Sequence, residues 1–130
     1  MRTAFKLILM ILSLIPLYFA VTGMLGGAAA LNDGTGVSAA LDNQFRYLSA
    51  FYLSLFFLIW WILGDIDNRG GVFRLLILAI FIGGLARLYS YFQIGTPEPI
   101  QMLGMALELG SPVLVLLQRN LAHSPGPVVT

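Results

Sequence analysis

Apolar and polar positions alternate along this chain in long blocks rather than residue by residue. Four apolar stretches follow one another: Phe5 to Leu25, Gln44 to Leu63, Val72 to Phe92 and Ile100 to Leu117. Each is close to the roughly 20 residues that a helix rising 1.5 Å per residue needs to cross a hydrocarbon core about 30 Å thick. The pattern predicts an all-α fold, a bundle of four transmembrane helices over residues 1–121, joined by short connections. Pro16 and Pro112 fall inside the first and fourth helices and are expected to kink them, since neighbouring groups in a membrane protein can re-satisfy the freed carbonyls. The last residues, 122–130, contain SPGPVVT and read as a disordered tail.

The first stretch follows Arg2 and Lys6 and leads to Ala28-Ala29-Ala30, a combination also found in secretory signals. It is longer than the apolar region of about 7 to 15 residues that such signals carry, so it is read as a retained first helix. Between the first two helices lies GGAAALNDGTGVSAALD, too weakly hydrophobic to span. It is expected to form a short interfacial helix and a turn at Asn32-Asp33-Gly34, and to serve as a lid.

Composition sharpens the picture. Of 130 residues, 58% are hydrophobic and 10% charged, against about 25% charged in ordinary soluble domains. Too few charges are present to clothe a soluble surface, so apolar side chains must face lipid. Cysteine is absent, which removes disulfides, thiol nucleophiles and thiolate metal sites. Lys and Arg are scattered, and nucleic-acid binding is not expected.

The placement of charge predicts orientation. Arg2, Lys6, Arg69, Arg74 and Arg119 fall on one side of four alternating helices, while the connections on the other side carry Asp33, Asp42 and Glu98. The positive-inside rule then puts both termini in the cytoplasm. Trp60 and Trp61 near one end of the second helix, and Tyr89 and Tyr91 near the end of the third, suit the two interfaces.

Ionisable groups within spans cost roughly 2.5 to 3.5 kcal/mol each on insertion scales and call for an explanation. Arg46, Arg87 and Glu108 are three such groups. Asp42 stands four residues before Arg46, on the same helical face, and the two can pair. Asn43, Gln44 and Tyr47 lie near them. Gly83 and Gly84 precede Arg87 by four and three residues and clear backbone-sized space for another helix or a ligand. Gln101, Gly104, Glu108 and Ser111 follow one stripe of the fourth helix, the face expected to look into the bundle. Which arginine meets Glu108 is left open by the spacing.

Catalysis has little to stand on: there is no Ser, His and Asp set, no metal-ligand spacing and no phosphate loop, and no cofactor is expected. His123 reads as a solvated residue near the headgroups rather than a haem ligand. The turn GDIDNRGGVFR reads as solvated, with local salt bridges rather than a bound metal.

The blocks LDNQFRYLSAFYL (Leu41 to Leu53), DIDNR, GGLARLYS (Gly83 to Ser90) and LELGSP (Leu107 to Pro112) occur here in the order and contexts of a bacterial family of four-helix inner-membrane proteins, which this chain resembles over nearly its whole length. The family is described as domain of unknown function 4345. The resemblance implies a multipass protein of the bacterial inner membrane and groups Asp42, Asn43, Arg46, Arg87 and Glu108 as signature positions; it implies no reaction. The chain departs from the family pattern mildly, with Ala50 after Ser49 where glycine is frequent, and with Pro112 unaccompanied by a second proline.

Two readings follow. In the first, the protein is not an enzyme and holds an anionic amphiphile, a membrane lipid or a quinone-like molecule, in a polar pocket in the outer half of the bundle. Arg46 and Arg87 clamp the anion, Glu108 holds their geometry, and Tyr47 or Gln101 adds hydrogen bonds. In the second, the charges neutralise one another as a structural network, and the chain is an accessory subunit of a larger membrane complex or a homo-oligomer.

Overall fold

The computed structural model describes residues 2–33 and 35–122 and is all-α, with no strand among them. Helices α1 (Arg2–Gly26), α2 (Ala39–Gly64) and α3 (Gly70–Ile94) are each long and apolar enough to cross a membrane. Helices α4 (Pro99–Gly110) and α5 (Pro112–Ala122) follow, and together they make a fourth candidate span bent by 40°. Of the tail expected over 122–130, Ala122 closes α5; the rest, with His123, lies outside the described residues.

The chain divides into two compact units, Arg2–Gly64 and the residues from Asp65 onward. The first is an antiparallel hairpin of α1 and α2. Its cross-helix pairs run in opposite directions along the chain: the Trp60 indole N–H donates to the Ser13 hydroxyl at 3.0 Å, the Phe19 and Tyr52 rings lie 5.9 Å apart, and Gly23 meets Ser49. The buried residues of α1, Phe5, Leu9, Ser13, Ala20 and Gly23, recur at helical spacing on one face. Most of them are small. Small residues at these positions let the two backbones approach closely, where dispersion between them acts. A Cβ on Gly23 would stand 2.7 Å from Ser49 Cβ, closer than real atoms approach, and this position therefore requires glycine.

Helix α2 starts at Ala39, earlier than the apolar pattern alone indicates, because Ser38 caps it. The Ser38 hydroxyl accepts the Leu41 N–H at 3.1 Å, and the Ser38 carbonyl accepts that of Asp42 at 3.1 Å. The preceding loop contains a short 3₁₀ turn, Ala28–Leu31, where a short helix is expected from sequence. Asn32 and Asp33 continue it, Asp33 at φ +51°, and Gly34 lies outside the described residues.

In the second unit α3 packs against α4 and α5, again antiparallel: Gly84 meets Glu108 and Leu109, and Gly70 meets Gln118. The fourth apolar stretch bends where Pro112 is expected to kink it, and the bend divides it into α4 and α5. Pro112 has no N–H for the Glu108 carbonyl, the acceptor one turn back, and that carbonyl is taken by Ser111 instead, through its hydroxyl at 2.7 Å and its N–H at 3.3 Å. The Leu114 N–H then bonds the Ser111 carbonyl at 2.9 Å. This tighter turn ends α4 and starts α5. Pro16 behaves differently, for α1 runs through it unbroken.

Candidate functional site

The sequence-predicted polar residues form two ion pairs, one in each unit. In the hairpin, Arg46 Nε donates to Asp42 Oδ2 at 2.8 Å, the pairing that their spacing of four predicts. The pair also reaches across the loop. Arg46 Nη1 donates to the carbonyls of Met24 at 2.7 Å and Leu25 at 3.3 Å, in the last turn of α1, and Asp42 Oδ1 accepts the Ala28 N–H at 3.0 Å.

This geometry follows from what helix ends lack. The last carbonyls of α1 have no intrahelical donor and carry the negative pole of the helix. A guanidinium, with five N–H groups in a planar fork, can meet those carbonyls and a carboxylate at once. Asp42, in the first turn of α2, is favoured by the positive pole there. The corner is closed by Gly27, at φ +69° and ψ −170°, a backbone conformation that side chains disfavour. A Cβ at Gly27 would also stand 2.9 Å from Arg46 Cζ and overlap Asp42 Oδ1. Sequence reasoning finds Asp42 and Arg46 but not their partners Met24, Leu25, Gly27 and Ala28, because backbone groups have no sequence signature. The glycine pair Gly26-Gly27 was the signal available.

In the second unit Arg87 Nε lies 2.9 Å from Glu108 Oε2, with the two side chains 31% and 21% exposed. Glu108 is therefore met by Arg87, which answers the question the spacing leaves open. Gly84 makes the approach possible: its Cβ position lies 3.0 Å from Glu108 Cβ and 3.2 Å from two Leu109 atoms, so the space it clears is filled by α4. Gly83 and Gly104 have open space where a Cβ would stand. Of the fourth-helix stripe, Ser111 is buried at the break and bonds the Glu108 carbonyl, tying backbone and side chain of one residue to two different tasks.

Tyr47 and Gln101 stand apart from these bonds. Tyr47 is exposed and packs edge-on against Phe51, ring centres 5.1 Å apart. Gln101 lies in the first turn of α4, two turns before Glu108, and its backbone N–H bonds the Glu98 carbonyl at 2.9 Å. No group of three or more His, Cys, Asp or Glu side chains suited to a metal occurs among the described residues.

Comparison with known proteins returns no match to a solved structure and none to a curated protein. One family profile, described as a domain of unknown function (DUF4345), matches residues 4–118. That match takes in both units and both ion pairs, and the chain belongs to this family.

Proposed function

We propose that the protein is a multipass inner-membrane accessory subunit, a small helical scaffold that docks on a larger membrane assembly, and that its two ion pairs are internal fasteners. One observation carries the reading: Arg46 directs its donors at Asp42 and at the end of α1, so the charge is used in closing the hairpin rather than offered to a ligand. Arg87 and Glu108 neutralise each other in the second unit, which supports the same reading. Burying each charge beside its partner reduces a cost of roughly 2.5 to 3.5 kcal/mol per unpaired group.

The alternative, retention of an anionic lipid or quinone-like molecule, rests on the partial exposure of Arg87 and Glu108. Purification in gentle detergent separates the two. Under the scaffold reading the protein migrates in a large assembly with reproducible partners. The Arg87→Glu and Glu108→Arg single variants are destabilised by about 3 kcal/mol, and the double variant, which restores the pair, recovers both stability and assembly. A lone chain or small oligomer that keeps an anionic lipid in native mass spectrometry, and loses it in a folded Arg87→Gln variant, would overturn the scaffold in favour of the ligand site.

A further inference from the structure

One motif of the sequence is used by neither the ion pairs nor the scaffold. Arg2 and Lys6 stand at the start of a membrane-length helix, and Gly26 and Gly27 end it ahead of Ala28-Ala29-Ala30. Basic residues, an apolar helix and then small residues of the Ala-x-Ala type are what the proteases that remove secretory signals read. The apolar stretch is longer than in such signals, which makes α1 a span in its own right, but its length does not alter the residues that follow it.

A protease of this kind takes its substrate as an added strand, bonded along the backbone, with alternate side chains in pockets. For a cut between Ala30 and Leu31 the alternate residues are Ala28 and Ala30, both small enough for narrow pockets. The structure holds this stretch in another form. Ala28–Leu31 is a 3₁₀ turn, and the Asn32 N–H bonds the Ala29 carbonyl at 3.0 Å. Ala28 is only 5% exposed, and its N–H is held by Asp42 Oδ1 at 3.0 Å. Asp42 is held in turn by Arg46, whose guanidinium also grips the end of α1. Ala30, by contrast, is exposed. The bond after it therefore lies at the surface of a segment that is wound and pinned at Ala28.

We propose that the Ala30–Leu31 bond is a latent cleavage site for a membrane serine protease of the signal-removing kind, and that the Asp42–Arg46 corner keeps it closed. Opening requires Ala28 to leave Asp42 and the turn to unwind into a strand. Hydrolysis of the amide then consumes one water: its hydroxyl goes to the Ala30 carbonyl carbon, its hydrogen to the Leu31 nitrogen, and the acid proton passes to the new amine. The products are a carboxylate on Ala30 and an ammonium on Leu31. The corner thus decides whether the chain keeps its first helix, a role independent of Arg87, Glu108 and the scaffold reading.

The test uses the full chain in mixed micelles with a purified bacterial signal peptidase, where membrane orientation plays no part. Intact-mass spectrometry follows the fragment 31–130. Asp42→Ala removes both the acceptor of the Ala28 N–H and the partner of Arg46. It should be cut at least about tenfold faster than the unaltered chain, the worth of one hydrogen bond to a charged group, because cleavage follows the population of the open form. Ala30→Leu puts a bulky group on an exposed position where the protease requires a small one; added to Asp42→Ala, it should abolish the fragment. Gly84→Ala, which disturbs the packing of α3 on α4 and leaves the corner alone, should be cut at the rate of the unaltered chain. Equal rates for the unaltered chain and Asp42→Ala overturn the proposal, as does a first cut at another bond or a fragment 31–130 that persists in the double variant. Acceleration by Gly84→Ala as large as that by Asp42→Ala would assign the cut to global unfolding and overturn the guarding role of the corner.

Discussion

At the scale of single residues, glycine carries more of the structure than charge does. Gly23, Gly27, Gly70 and Gly84 each stand where a Cβ would overlap or press on a neighbour, and Gly27 alone of these four also holds a positive φ. Gly27→Ala should therefore destabilise the protein by roughly 1–2 kcal/mol from backbone conformation, and by more once the methyl displaces the Arg46 guanidinium. Gly36→Ala, where nothing lies within 4 Å, should change stability by less than about 0.5 kcal/mol. Denaturant titration in mixed micelles compares the two, and equal losses would show that the corner is not held as described. Asp42 with Arg46 was legible because spacings of three and four fix neighbours on a helix. Arg87 with Glu108 was half legible: both stood out as charges in apolar surroundings, but a contact between separate helices is set by packing. Gly27 and Gln118 were illegible in their roles, since each is defined by atoms brought from another element.

Elements follow the apolar pattern in their middles and depart from it at their ends. Middles are decided by the need to satisfy every backbone group inside an apolar medium, which long apolar runs announce. Ends are decided by individual hydrogen bonds, such as the Ser38 cap that starts α2 at Ala39. The α4–α5 break shows both influences, for Pro112 announces it, but only the Ser111 hydroxyl explains how the Glu108 carbonyl is satisfied there. Pro112→Ala returns an N–H to that carbonyl, and the 40° bend should relax towards a single straight helix. Oriented-sample solid-state NMR reads the tilt of each half; a bend unchanged in the alanine variant would assign the break to Ser111 and Gly110 instead.

For the whole molecule, the measurable quantity is the number of crossings. With α4 and α5 as one bent span, four crossings place residues 65–69 on the same side as the end of α5, and residues 95–98 on the opposite side. The sequence has no cysteine, so single cysteines report without background. In intact vesicles Asn68→Cys and Asn120→Cys should label from one side and Thr96→Cys from the other, with the first two facing the cytoplasm by the positive-inside rule. Labelling of positions 96 and 120 from the same side would reduce the crossings to three. All-α character and the long apolar helices were legible in composition and run length alone, because so few polar residues interrupt the runs.

The Asp42–Arg46 corner has a bearing on how such a protein is made. Every group it ties together, from Gly23 to Arg46, lies in the first unit, and Arg87 and Glu108 lie together in the second. A nascent chain that has released only its first two helices thus already owns the counter-charge and the helix-end carbonyls that its arginine requires. Neither unit has to wait for the other to give its arginine a counter-charge: Arg46 meets Asp42 within the first and Arg87 meets Glu108 within the second.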